Sequence, residues 1–360
     1  AITGNPRRQQ EASTASVPAP VGGWNDRDSL ADMDSKDAVL LKNLFPLPSK
    51  VILRKGSESW TTGLGSQVES LMPYQPQTGT SALFGAAGTA FYNVTAQGAV
   101  GAAVVSSLTN ARWQHTNIST AGGNFLMAVN GADKLRGWNG SAWWTDGDGA
   151  HDITGVDTAT CIGITLFKRR VWLVKSGTAS AWYLPVDAIA GAATELDLGP
   201  VFTRGGYLMT IANWSLDAGV GIDDYAAFIS SEGEVALYKG SDPASATTWA
   251  LVGAFYIGAP IGRRGAAPLG GDVMLICRDG LVPLSKALMS ARITTKVALT
   301  DKIINTISEA VALYGSTYGW QPILFPGQDM VLLNVPVAVG VQVQYAMNTT
   351  SGAWAQFTGW

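Results

Sequence analysis

The sequence predicts an all-β protein: a six-bladed β-propeller with an extended N-terminal arm and a short inserted helix. Three observations carry that expectation. Short apolar runs recur along the chain, centred on Leu83, Leu126, Leu173, Phe228, Leu275 and Leu332, at spacings of 43, 47, 55, 47 and 57 residues; propeller blades repeat at roughly 40–50 residues. Nearly every run is followed by a glycine-bearing turn: Gly85 to Gly88, Asn130-Gly131, Ser176-Gly177, Glu232-Gly233 and Asp279-Gly280, with Asn334-Val335-Pro336 in that place in the last. Tryptophans open several strands expected at outer blade edges, as Trp143-Trp144, Trp182, Trp249 and Trp354. A β-sandwich also spaces short strands evenly, but six copies at one period favour the propeller.

The clearest copy runs from Asp223 to Gly258. Its apolar run, Ala226 to Ile229, is too short for an ordinary helix, and Glu232-Gly233 supplies the turn. Val235, Leu237 and Lys239 then alternate with Ala236 and Tyr238 as in a half-buried strand, and Trp249-Ala250-Leu251-Val252 begins the next.

Hydrophobic residues make up 47% of the 360 and charged ones 14%, which argues against disorder and for extensive burial, subunit contacts included. A formal net charge of -3 argues against a protein that grips nucleic acid by neutralising phosphates. Cys161 and Cys277 sit in apolar strand contexts, where free cysteine behaves as a small hydrophobe, consistent with a reducing compartment. Arg7-Arg8 has no apolar stretch behind it, so no secretory signal is expected, and a first residue other than Met suggests processing. No run is long and apolar enough to predict a membrane-spanning segment.

The chain divides into residues 1–50, an arm and interface segment, and residues 51–360, the propeller. Residues 1–23 are rich in Pro, Ser, Ala and Gln, cannot build a core, and read as an extended arm or tail. Residues 22–46 carry Trp24, Leu30, Met33, Leu40, Leu41 and Phe45 outside the six repeats. Their apolar surface needs cover, and an interface with another subunit or another protein is the expected place, with packing on their own propeller as the alternative. On the interface reading, removing residues 1–46 leaves a folded monomer that fails to assemble. Strands within residues 51–62 are expected to close the ring against the last blade. Blades follow at residues 81–93, 112–146, 161–201, 207–258, 270–285 and 330–360, with no role evident for residues 94–111. Residues 284–315 break the pattern. Thr300 suits an N-cap and Asp301 a first turn; Ile303, Ile307, Val311 and Tyr314 share a face, and Gly315 ends an inserted amphipathic helix.

Residues that carry chemistry are few. His115 lies in a strand and His151 in a Gly/Asp loop, neither spaced with Cys or carboxylates as a zinc site or triad requires. Asp146-Gly147-Asp148-Gly149 with Asp152 and Asp157 has oxygens two apart, but Ala150 and Asp157 stand where a calcium loop needs a ligand and a bidentate Glu, so a plain loop is expected. Ser241 to Trp249 invites comparison with the Asp-box turns of glycosidase propellers, yet lacks the Gly before Thr-Trp. A sialidase-like site would further need Arg136, Arg204, Arg263 and Arg292 together, and nothing in the sequence gathers them. Gly262-Arg263-Arg264-Gly265 is too short for a phosphate loop. No catalytic residue, cofactor or metal is expected.

Gly23-Trp24-Asn25, Arg27 to Met33, Asp37-Ala38, Asn43, Phe45-Pro46 and Arg54-Lys55-Gly56 form a distinctive string. With YKGSDPASATTWALVGAFYIG, PLSKAL followed by VALTDKI, and the closing SGAWAQFTGW, it resembles the tail tube, nozzle or hub proteins of short-tailed phages and prophages, also called packaged-DNA stabilisation proteins. The resemblance covers nearly all of the chain after residue 20, and many relatives continue beyond the Trp-rich ending. It implies a non-enzymatic virion protein, assembled in the host cytoplasm into a ring, most simply a homohexamer. Below the portal and adaptor complex, and in contact with tail fibres or a needle, such a ring retains packaged DNA and conducts it during ejection. Contact with passing DNA would be transient and non-specific. Residues 61–360 hold 16 Lys and Arg against 20 Asp and Glu, so a neutral or acidic lumen is expected. Lys168 to Arg170 and Arg263-Arg264 are candidate brakes on the DNA, or else outer-loop residues. The competing expectation is a secreted carbohydrate-binding or glycosidase-type propeller, against which the missing signal peptide and acid pair count.

Overall fold

The structure, a computed structural model, describes residues 16–217, 222–288, 298–338 and 340–359. Six antiparallel sheets follow one another along the chain. Blade one is Val68–Tyr74, Ala82–Ala87 and Ala90–Asn93. Blade two is Gln114–Thr120, Gly123–Val129, Arg136–Trp138 and Trp143–Thr145. Blade three is Cys161–Phe167, Arg170–Lys175, Ser180–Tyr183 and Thr194–Asp197. Blade four is Leu208–Asp217, Ile222–Ser230, Glu234–Gly240 and Trp249–Tyr256. Blade five has three strands, Ala266–Leu269, Asp272–Cys277 and Gly280–Pro283. Blade six is Gln321–Phe325, Met330–Ala338, Val341–Asn348 and Trp354–Phe357. In every blade neighbouring strands pair in sequence order. The fold is a six-bladed β-propeller.

All six apolar runs fall on the second strand of a blade, the strand flanked on both sides within its sheet and covered on both faces by adjacent blades. Leu126, Leu173, Phe228 and Leu275 are accordingly buried. Apolar clusters fill the seams between consecutive blades. Phe84, Phe91 and Trp113 meet Leu126 between blades one and two; Met127 and Trp144 meet Ile164 and Leu173 between two and three. Trp172 meets Phe228 between three and four, Trp214 meets Leu275 between four and five, and Ile276 joins the core of blade six. Among the described residues no such cluster spans blades six and one, leaving five seams with an apolar filling and one without.

Several expectations change in the structure. Asn334-Val335-Pro336 is not a turn but the interior of a nine-residue strand, and the hairpin comes after Ala338. Proline is tolerated there because the register shifts between Pro336 and Ala338. Residues 51–62 do not close the ring. Val51–Leu53 pairs instead with Leu44–Pro46, and Thr61–Thr62 runs parallel to Gly98–Ala99. Residues 94–111 gain a role: Val104 and Val105 exchange backbone hydrogen bonds with Phe91, extending blade one past its third strand. Trp182 lies on the third strand of its blade, not the outermost.

The helix is present as a 3-10 turn, Asp301–Ile303, running into Ile304–Tyr314. Thr300 makes no side-chain cap; its hydroxyl instead accepts the Leu281 N–H at 3.1 Å. The cap comes from the arm. Asp26 accepts from the Asn305 N–H at 3.2 Å and the Thr306 N–H at 2.7 Å, placing a carboxylate where unpaired amides and the helix dipole favour one.

Candidate interaction surface and central channel

The arm is bound to the propeller by paired backbone, apolar burial and charge. Gly23–Trp24 lies parallel to Asp37–Ala38. Gly23 has φ +83°, and a Cβ there would sit 2.7 Å from the Trp354 backbone, so only glycine permits this approach. Trp24 then reaches Tyr345 of blade six edge-on, with centroids 5.4 Å apart. Asn25 is fully buried, and its amide donates to Asp28 and Asp37, each at 2.8 Å. Asp37 in turn receives the Lys302 ammonium at 2.8 Å, while Arg27 binds Asp28 and Asp301. These partners hold the Asp28 carboxyl down to about 2, first through Arg27 and then through Asn25. Further on, the Leu41 carbonyl and the Asn43 N–H pair with the Gln356 backbone along the edge of blade six. Asn43, at φ 56°, also accepts from the Arg54 guanidinium at 2.9 Å and the Thr358 N–H at 3.0 Å. Phe45 packs on Phe357.

The six apolar arm residues therefore divide. Trp24, Leu41 and Phe45 are buried within this chain, in the core shared with blade six and the helix. Leu30 and Leu40 stay exposed, at 79% and 52% of their surface, and Met33 is half-buried. Val39 beside Leu40 and Leu53 on the arm hairpin are exposed as well. Apolar surface left open on the described arm is thus carried by Val17, Leu30, Val39, Leu40 and Leu53. The arm upstream of residue 16 lies outside the described residues.

Arginines occupy the central channel. Arg264, just ahead of blade five, reaches across to blade one, donating to Glu69 O at 2.8 Å and Ser70 Oγ at 2.5 Å, and to Trp113 O ahead of blade two at 2.6 Å. Arg263 donates to Asn130 O at 3.2 Å and Arg112 O at 2.7 Å. The Tyr318 ring lies against the guanidinium groups of Arg112, Arg263 and Arg264, with centroid distances of 4.9, 5.7 and 4.9 Å. Arg263-Arg264 is thus neither an outer loop nor a free ring of charge. The other basic cluster is a tight turn: Lys168 and Arg169 take φ of 48° and 62° between the first two strands of blade three. Lys168 binds Asp224 at 2.5 Å, Arg169 binds Asp187 at 2.8 Å, and Arg170 binds Asp242 at 3.0 Å.

His115 lines the same channel. Burial, with the Arg264 charge nearby, pulls its imidazole down to about 4. Protonation therefore favours the unfolded chain, where histidine titrates near 6.5. Stability from this group is full above about pH 6.5 and falls as pH drops towards 4, by on the order of 2–3 kcal/mol. The variant His115→Asn is expected to flatten that part of the curve in denaturant melts run between pH 4 and 7; an unchanged slope would assign the pH dependence to other groups.

The remaining candidates have local duties. Asp146 is buried and accepts from the Ile153 N–H at 2.8 Å and the Thr158 hydroxyl at 2.5 Å. Asp148 binds His151, which stacks on Trp144; Asp152 accepts the Gly149 N–H; Asp157 caps the turn Thr158–Thr160. The loop's carboxylates thus fold the loop. Arg136 lies in the third strand of blade two, Arg204 stacks on Tyr256 of blade four, and Arg263 spans the channel, so these three are not gathered; Arg292 lies outside the described residues. Cys161 and Cys277 are buried thiols on blades three and five, both pushed up to about 12 by burial. The arginine-lined channel and the arm's cap on the helix escaped sequence reasoning, because both join residues far apart in the chain.

No protein-family model matches the chain, and no curated protein matches it. Among solved structures it is similar to the β-propeller domain of Cps50 (Swd1) from Myceliophteria thermophila, at 10% identity and a TM-score of 0.45, over 81% of this chain and 88% of that one. A putative 6-phosphogluconolactonase from Bacteroides fragilis matches at 12% identity and a TM-score of 0.42, over 82% of each chain. PorZ of Porphyromonas gingivalis, a surface component of its type-IX secretion system, matches at 12% identity and a TM-score of 0.40, over 82% of this chain and 34% of that one. These likenesses bear on the fold alone.

Proposed function

We propose that the chain is a structural, non-enzymatic ring subunit of a short-tailed phage tail, forming the distal tube or nozzle below portal and adaptor. A homohexamer is the simplest ring, and its work is to retain packaged DNA and conduct it at ejection. One observation supports this reading above others: several of the separated stretches that carry the family resemblance, those of the arm, the helix start and the closing strand, meet at one place. Gly23 to Asp28, Asp37, Asn43 and Arg54 come from the arm, Asp301-Lys302 from the helix start, and Trp354 to Thr358 from the closing strand. Residues that resemble a family and also cooperate in one structural unit are a stronger likeness than scattered matches. That unit presents Leu30, Val39, Leu40 and Leu53 outward, as a surface for a neighbouring subunit or adaptor. The two basic clusters are engaged inside the subunit, which suits a conduit that lets DNA slide.

Light scattering and negative-stain images of the purified chain, with reconstitution into tails, test the reading. Ring particles are expected, together with their loss in the double variant Leu30→Asp, Leu40→Asp at unchanged circular dichroism. A wild-type chain that stays monomeric and joins no tail, or a double variant that assembles normally, would overturn it.

A further inference from the structure

The first strands of blades one and two and three strands of blade six border a cavity of about 470 Å³, a volume typical of small-molecule sites. Its wall carries more cation than anion. Arg112 and Arg264 line it, and Glu69 is the one carboxylate among the described lining residues. Glu69 is engaged by Arg112 at 3.0 Å. Arg264 is left with neutral oxygens only, two carbonyls and a hydroxyl, and Arg263 behind it likewise donates to carbonyls. Such acceptors satisfy N–H groups but do not cancel the charge, and a charge withdrawn from water is held best beside a counter-charge. Burial pulls both arginines below their usual range, consistent with that imbalance.

The rest of the wall narrows the class of ligand. Gln114 lines the cavity, and its Nε2 is buried without a hydrogen-bond partner among the described residues. Gln67, Gln321, Asn334 and Gln342 add further carboxamides, each able to donate and accept, as hydroxyl groups require. A fully ionised inorganic anion such as sulfate accepts from the arginines and the amide N–H groups but offers no donor to the carboxamide oxygens.

We propose that this cavity binds a small hydroxylated organic oxyanion, a sugar acid or sugar phosphate. Its acid group sits against Arg112, Arg264 and Tyr318, and its hydroxyls meet Gln114 and the neighbouring amides. The proposal stands independently of the ring reading, because the site lies within a single subunit.

Calorimetry and ligand-observed NMR on the full chain provide the test, with gluconate, glucose 6-phosphate, glucose and sulfate as probes. Gluconate or glucose 6-phosphate is expected to bind saturably, at least tenfold tighter than glucose or sulfate, and the preferred acid identifies carboxylate or phosphate as the recognised group. Arg112→Gln should weaken that binding at least tenfold. Arg264 ties blades together, so Gln114→Leu serves as the second variant, with a several-fold loss at unchanged circular dichroism and melting temperature. Three outcomes overturn the proposal: no saturable binding of any probe, sulfate binding as tightly as the organic acids, or wild-type affinity in both variants.

Discussion

Deletion of residues 1–46 is expected to disrupt blade six and lower the melting temperature sharply, rather than leave an intact monomer. Trp24, Leu41 and Phe45 are almost fully buried in the core that also contains Tyr345, Trp354 and Phe357. At about 1.5–3 kcal/mol for each large apolar side chain, their loss alone removes on the order of 5–9 kcal/mol. That is comparable to the whole stability of an ordinary domain. The deletion also strips the Asp26 cap from the helix and leaves Lys302 without Asp37. Thermal melts and hydrogen exchange of two truncations check this. Removing residues 1–15 should change little in the described fold, whereas removing 1–46 should expose amides of blade six and of Ile304–Tyr314. A 1–46 deletion that melts like the full chain would show that the arm merely rests on the propeller. Here the structure reverses the sequence expectation of a folded, assembly-defective monomer: the segment is a component of the core first, and its exposed residues come second.

The second large effect is expected at Arg264. Replacing it by Leu removes three hydrogen bonds from a charged donor and leaves Glu69 O and Trp113 O facing a side chain that cannot donate. Hydrogen bonds to charged groups contribute about 1.5–3 kcal/mol each, partly offset by relief of the buried charge, so a net loss of about 3–5 kcal/mol is expected. Arg264→Lys should recover only part of it, because one ammonium cannot span three acceptors as the planar fork does. Removing the cation should also let the His115 imidazole rise from its depressed value, although burial, the larger cause, remains. Denaturant melts give the first quantity and a histidine NMR titration the second. Full stability in Arg264→Leu, with His115 unmoved, would show the cross-channel contacts to be incidental.

The blades were legible in the sequence because blade two, for one, announces itself locally: Leu126 sits mid-run, Asn130-Gly131 turns the chain, and Trp143-Trp144 opens the outer strand. Period, turn chemistry and burial agree there. The helix was legible by the spacing of Ile303, Ile307 and Val311, but its cap was not, since Asp26 lies 279 residues before Asn305. The same limit applies to the channel. Arg263-Arg264 reads as a surface pair until its partners are known, and those lie 133 to 195 residues away. Pro336 misled for a different reason: proline usually interrupts strands, and the register shift that accommodates it has no local signature.

The seam between blades six and one gives the subunit the mechanics of a split washer. Prising apart a packed joint such as Trp172 against Phe228 opens a void and wets two aromatic faces, a cost that grows with every cubic ångström. Parting the joint without an apolar filling wets no comparable core among the described residues. Radial strain on the propeller, from whatever passes or presses against it, therefore concentrates at that one joint. The other five transmit the load as stiff segments, and the Arg264 tie across the bore sets how far the gap can spread before the ring must yield elsewhere.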